Sequence, residues 1–147
     1  MKKEEEPIII EETFNVPVET VWNAITQVEQ MCRWFFENIP SFKPEVGFEI
    51  QFNVKSQDRN FLHKWKITEV EPLKKISYNW EYENYPWNSF VVFELFEENN
   101  STMLRLTHQV TESFPQDIPE FKRESGIEGW NYFIKNTLKA FLENNVK

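Results

Sequence analysis

The chain has 147 residues and a formal charge of −8, and 16% of it is aromatic, with 14 Phe and 6 Trp but only 3 Gly. Such acidity excludes the basic footprint that nucleic acid demands and disfavours anionic membrane surfaces. It leaves a charge that simply keeps the protein dispersed, or one that meets a basic protein partner. Cys32 is the lone cysteine, which excludes an internal disulfide and a thiolate metal cluster.

At this length about 70% of the unfolded surface is buried on folding, and rings that each bury about 150–250 Å² fill a core without disulfides. The same bulk could wall a cavity. No internal repeat, low-complexity tract or linker-like shift in composition interrupts the chain, so residues 1–147 are expected to form one domain. Residues 1–6 read as a frayed, charged tail. Ile8–Ile10 is too short for a signal core or a membrane span, so the expected location is the cytoplasm.

In chain order, residues 8–14 read as a first strand. Pro17 then suits the first turn of a helix, with Glu19 favourable near its positive end. Val18, Val21, Trp22, Ile25 and Val28 share one face of that helix. A short second helix over about 30–36 carries Trp34 and Phe35, and neither helix can continue through a loop at 37–46 that holds Pro40 and Pro44. From Gly47 the period changes to two. Phe48, Ile50, Phe52 and Val54 line one face, as do Phe61, His63, Trp65 and Ile67, and then Ile76, Tyr78, Trp80 and Tyr82. A strand over 89–97 is apolar on both sides: Val91, Phe93 and Leu95 on one, Phe90, Val92 and Phe96 on the other. The last, over 102–111, sets Leu104, Leu106, His108 and Val110 against Met103, Arg105, Thr107 and Gln109.

Short polar turns between these strands predict an antiparallel meander. The first strand pairs most economically at the free edge beside the last. A final helix over 126–145 spaces Ile127, Trp130, Ile134, Leu138 and Phe141 at three and four residues, widened by Phe133 and Leu142, with Lys135 and Lys139 among the polar residues opposite. Gly126 and Gly129, each costing a helix about 1 kcal/mol, are expected to mark a bend or a close approach to the sheet near Trp130. The predicted fold class is α+β, a curved six-stranded antiparallel sheet with helices on one side.

Five co-linear motifs carry a resemblance over nearly the whole chain: PVETVWNAITQVEQMCRWFF at 17–36, FKPEVGFEIQF at 42–52, KITEVEPLKKISYNW at 66–80, SFVVFELFEENNSTMLRLTH at 89–108 and GWNYFIKNTLKAFLE at 129–143. With the order of elements they make the chain resemble the START-like superfamily, which includes the birch pollen allergen. Within it, the chain resembles the group named after the activator of the heat-shock-protein-90 ATPase, in a stand-alone form without the additional N-terminal domain of the eukaryotic activators. The resemblance implies a helix-grip fold whose C-terminal helix crosses the concave sheet, often with a pocket for an apolar or amphipathic molecule between them. It brings no invariant catalytic set and no cofactor, and its members include ligand carriers, stress-related proteins and a few distant enzymes.

On that fold the expected cavity lining is His63, Trp65, Tyr78, Trp80, Phe93, Leu106 and His108 from the sheet and Trp130, Phe133 and Ile134 from the helix, with Tyr82 beside them. The alternative is that these rings simply fill the core. The two histidines, His63 and His108, lie three strand positions apart, roughly 14 Å, too far for a shared metal without strong curvature. No metal is expected. They are read as core or pocket-lining groups, or as polar anchors for a ligand. The segment 83–88 places Tyr85, Pro86 and Trp87 at a hairpin tip, either exposed to a partner or folded back onto the protein. Phe90, Val92 and Phe96 suggest a convex apolar patch for self-association, unless Lys and Arg stems cover it. Cys32, among Met31, Trp34 and Phe35, reads as a buried inert thiol.

No phosphate-cradling Gly-rich loop, HExxH, GxSxG or CxxC occurs. The leading expectation is binding of a small hydrophobic or aromatic molecule between sheet and helix. A chaperone-linked interaction module and a cyclase- or hydrolase-like enzyme, drawing on His108, His63 or a Tyr, are the alternatives.

Overall fold

The computed structural model describes residues 2, 4–56, 58–83, 85–113, 115 and 117–144. Strand β1 (Ile8–Phe14) is followed by helices α1 (Val18–Thr26) and α2 (Val28–Trp34). Five strands follow: β2 (Glu49–Ser56), β3 (Arg59–Glu71), β4 (Lys75–Tyr82), β5 (Tyr85–Glu98) and β6 (Ser101–Glu112). They form one antiparallel sheet in the order β1-β6-β5-β4-β3-β2. The first strand does pair with the last, from Ile8 opposite His108 to Phe14 opposite Thr102. The period-two reading holds on the concave face, where Ile50, Phe52, Trp65, Ile76, Val91, Phe93, Leu104 and Leu106 are all buried. This is the predicted α+β helix-grip architecture.

α1 buries Val18, Val21, Trp22 and Ile25 as its spacing requires. Pro17 sits one position earlier than predicted, at the N-cap, where its carbonyl accepts from the Thr20 and Val21 amides at 3.0 and 3.3 Å. Because Gln27 is extended, α2 begins at Val28, two residues before the predicted start, and it ends at Trp34. The Trp34 indole donates to the Ala24 carbonyl at 2.7 Å and pins the two helices together. Phe35 and Phe36 therefore lie beyond α2, free to turn inward. Phe35 stacks on Trp34 at 4.6 Å and meets Trp65, Trp80, Phe93, Trp130 and Phe133 at ring separations of 4.8–6.5 Å.

The C-terminal helix differs from expectation at its start and in the middle. A 3₁₀ turn at Pro119–Phe121 leads into α3 (Arg123–Asn131), three residues earlier than the spacing predicts. A π-helical stretch, Tyr132–Leu138, joins it to α4 (Lys139–Asn144); Asn145 of the expected helix lies outside the described residues. The most deeply seated side chains are Trp130, Ile134, Leu138 and Leu142, four residues apart, while Ile127, Phe133 and Phe141 are half-buried. Each four-residue step overshoots a 3.6-residue turn by about 40°. The wider i→i+5 turns of the π stretch reduce that drift and hold the seam over the sheet.

The helix also covers the exposed edge of β1. Arg123, Lys135 and Lys139 donate to the carbonyls of Glu6, Glu11 and Thr13 at 2.7, 2.8 and 3.4 Å. Lys135 and Lys139 also reach the Glu12 carboxylate, at 3.5 and 3.3 Å. Covering outward carbonyls in this way protects an edge strand from pairing with another chain.

Phe35 joins α2, the sheet and the helix in one ring cluster. Phe35→Ala is expected to lower unfolding free energy by about 3–5 kcal/mol, read as a drop in the urea midpoint with an unchanged slope.

Candidate functional site

The hollow between helix and sheet is divided by the two phenylalanines that follow α2. On one side of Phe35, Trp65, Tyr78, Phe93, Leu106 and Ile134 are at most 1% exposed and none lines the cavity on the other side. These five were expected to line the pocket and instead form packed core. Period two and helical spacing report which face a residue occupies, but not that a ring from the loop after α2 fills the space above it. The Trp65 indole nitrogen and the Tyr78 hydroxyl are enclosed there without a hydrogen-bond partner among the described residues. Burial raises the Tyr78 phenol well above its ordinary pKa, so it stays neutral.

On the other side a cavity of about 520 Å³ remains. The other five expected residues, His63, Trp80, His108, Trp130 and Phe133, do line it, together with Tyr82. Sequence reasoning missed Phe36, Phe61 and Phe121 in the walls. Phe61 carried a usable signal, since it shares the concave face of β3 with His63. Phe36, at the end of the predicted second helix, and Phe121, in a 3₁₀ turn that no periodicity marks, carried none.

The rim is polar. Glu120, on the 3₁₀ turn, accepts from Ser56 at 2.9 Å and pairs with Arg59 at 3.3 Å. This closes the turn against the β2–β3 hairpin across 61 residues of sequence, and nothing local in the chain announces it. Gly129 of α3 also faces the cavity, and a Cβ built there would meet nothing within 4 Å. The expected close approach of helix to sheet is thus absent at Gly129; the residue opens space.

The two histidines are fixed as neutral groups in different ways. Ser89 on β5 donates its hydroxyl proton to the Trp80 carbonyl at 2.8 Å, so its oxygen accepts from His108 Nε2–H at 2.9 Å. His108 Nδ1 is therefore bare, and it accepts from the Trp130 indole at 3.1 Å. Both nitrogens are used, and the chain of bonds ties α3 to β6, β5 and β4. Burial lowers the His108 pKa to about 3, since a charged ring there would be desolvated and would aim a second donor at the Trp130 N–H. His63 is likewise lowered to about 4 by burial; its Nδ1 bonds the Phe61 carbonyl at 2.9 Å. Trp80 stands between the two, its ring 5.4 Å from His63 and 5.9 Å from His108. Among the described residues no group of three or more His, Cys, Asp or Glu side chains is placed to hold a metal. The Trp80 indole N–H makes no regular hydrogen bond, but it lies near enough to the Tyr82 phenol to oppose part of the upward shift that burial imposes there.

Of the expected partner surface, the aromatic hairpin tip is lost and the convex patch remains in part. Tyr85 pairs with Tyr82, so β5 begins four residues before the predicted strand and the hairpin tip shrinks to residues 83 and 84, of which Asn84 lies outside the described residues. Trp87 is 4% exposed, with its ring 5.0 Å from Tyr82 and 6.2 Å from Phe121. It is core because the strand continues and alternation turns it inward. On the convex face Phe90 remains partly exposed, Val92 is half-buried, and the Arg105 guanidinium lies 4.9 Å over the Phe96 ring. Cys32 is half-buried and donates weakly to the Ile39 carbonyl at 3.4 Å. No helix among the described residues is long and apolar enough to cross a membrane.

Comparison with solved structures places this geometry among relatives. Protein MLL2253 from Mesorhizobium loti is 26% identical with a TM-score of 0.76, over 96% of this chain and 99% of that one. CalU16 from Micromonospora echinospora is 25% identical with a TM-score of 0.66, over 96% and 76%. The Aha1 dimer from Colwellia psychrerythraea shares the fold at 20% identity and a TM-score of 0.75, over 97% and 100%. No protein of curated function matches the chain. The sequence pattern described as Activator of Hsp90 ATPase homolog 1-like protein matches residues 15–143. The chain belongs to that family.

Proposed function

We propose that the protein binds a small, largely apolar molecule with aromatic character in the cavity bounded by Phe36, Phe61, Trp80, Trp130 and Phe133. The observation that carries this reading is the unfilled volume itself. A core this rich in rings closes tightly around Phe35 yet leaves about 520 Å³ beneath α3, within the range of small-molecule sites. Gly129, in mid-helix, keeps that space open at a cost of about 1 kcal/mol relative to Ala. The concave apolar walls, the few polar groups and the ion-paired rim match the general build of such sites. An acidic sequence with a single unpaired cysteine supports a cytoplasmic setting.

The chaperone-linked alternative drew on an exposed aromatic tip, and with Trp87 buried it keeps only the family relationship and the acidic charge in its support. The enzyme alternative drew on His108, His63 or a Tyr, with His108 and Tyr78 as its test pair; His63 and Tyr82 do line the cavity. Both His108 nitrogens are already bonded and Tyr78 lies outside the cavity, so the two do not form an acid–base pair facing a substrate.

Titration of the protein with a fluorescent fatty acid, a sterol and a flavonoid is expected to give saturable binding for at least one. Gly129→Leu should weaken that binding more than tenfold while leaving the fold intact or slightly more stable. Absence of binding by all three, or equal binding to the variant, would overturn the reading.

The histidines set a second expectation. Their folded pKa values, about 3 and about 4, lie below the ordinary value of 6.5, so between those limits the unfolded chain holds more protons. The histidine contribution to stability should then be flat above about pH 7 and fall on acidification, by at most about 1.4 kcal/mol per pH unit for each histidine. His108→Gln should reduce that slope between pH 6.5 and 4.5, as measured by urea denaturation across the pH range.

A further inference from the structure

The geometry points to an uncharged hydrogen-bond donor, a phenol-type hydroxyl or an N–H on a flat ring, as the inner end of the molecule this cavity takes, received by His63 Nε2. This rests on the binding role proposed above and narrows it to a chemical class.

The argument begins with a proton count on His63. Its Nδ1 lies 2.9 Å from the Phe61 carbonyl oxygen, which can only accept, so Nδ1 carries the hydrogen. A neutral imidazole has one N–H, so Nε2, at the far end of the ring from the backbone, is a bare acceptor. No described residue donates to it, although the side chain is only 4% exposed and the ring lines the cavity. A bare acceptor on a cavity wall is met by water or by a ligand, and a ligand that displaces the water keeps its affinity only if it supplies the hydrogen. The ring cannot easily turn to exchange its nitrogens. Phe52 stacks on it at 5.0 Å, Tyr82 and Phe36 meet it edge-on at 4.6 and 5.1 Å, and the Phe61 bond holds the other edge.

The remaining polar groups sharpen the class. His108 and the Trp130 indole satisfy one another and Ser89 and present no free valence, and the Trp80 indole N–H, though without a hydrogen-bond partner among the described residues, is enclosed. The charged groups lining the cavity, Arg59 and Glu120, are paired with each other at the rim. A carboxylate driven inward would meet no cation, and an ammonium no anion; either would lose its hydration without recompense. Burial keeps His63 itself neutral down to about pH 4. What fits beside Trp80, Phe36 and Phe133 is a flat, neutral ring whose polar edge gives a hydrogen.

Three probes of one shape test this at pH 7 by tryptophan fluorescence and calorimetry: 2-naphthol, 2-methoxynaphthalene and 2-naphthoate. The expected result is that 2-naphthol binds about tenfold more tightly than the methyl ether, with the carboxylate weakest. His63→Phe should erase the gap between the first two while retaining the ether. In the wild-type protein, nitrogen NMR should show His63 as the Nδ1–H tautomer. Its bare Nε2 resonance should move on adding 2-naphthol and stay fixed with the ether, a readout that needs no variant to fold. A gap that survives in His63→Phe, equal binding of naphthol and ether, or tightest binding of the carboxylate would each overturn the donor rule. If naphthol and ether bind equally and both are lost in Gly129→Leu, the cavity reading stands and this inference alone falls. If none of the three binds and the fluorescent panel also fails, both fall together.

Discussion

One line of hydrogen bonds holds the grip in place. The Trp130 indole, His108, Ser89 and the Trp80 carbonyl form a single-direction relay from α3 through β6 and β5 to β4. Apolar contact along Trp130, Ile134, Leu138 and Leu142 supplies the bulk of the attraction, but such contact is non-directional and would tolerate some sliding. The relay does not, because each buried donor in it has one acceptor, and the Trp130 indole loses its own if the helix shifts by a residue. It fixes the distance between helix and sheet near Trp130 and so the height of the cavity beside it.

The second constraint is the pair of phenylalanines after α2. Phe35 occupies the centre of the hollow and converts one half into solid core. Phe36 turns towards Phe52, His63 and Trp80 and becomes a wall of the other half. The cavity is what remains when two bulky side chains are spent on one end of an open grip. Gly129 and the 3₁₀ turn then shape the other end, and the Arg59–Glu120 pair closes the rim. Partly exposed pairs of this kind contribute little to stability, so the turn owes its place mainly to Phe121 packing on Phe61, Tyr82 and Tyr85.

Within this arrangement the two histidines divide their roles by tautomer. His108 carries its proton on Nε2 and is fully occupied in the relay. His63 carries its proton on Nδ1 and offers Nε2 inward. Identical side chains on one concave face thus become a structural link and a candidate recognition group, decided by which neighbouring oxygen can only accept.

Much of the fold was legible in the residues. Alternation from Gly47 onwards named the concave face strand by strand, the spacing of Val18, Val21, Trp22 and Ile25 named the buried face of α1, and the terminal stripe named the gripping helix. These patterns are local: a residue's neighbours along the chain suffice to say which side of an element it occupies. The candidate site was legible only by half. His63, Trp80, His108, Trp130 and Phe133 could be placed on the right surfaces, but Trp65, Tyr78 and Phe93 shared those surfaces and proved to be filled over. The inward turn of Trp87, the seating of Phe35, the tautomers of the histidines and the meeting of Ser56 and Arg59 with Glu120 all depend on segments far apart in the chain arriving at one place. Facing is set by local periodicity and could be read from the sequence alone. Occupancy and protonation are set by which distant atom fills or bonds the space opposite, and only the tertiary structure decided them.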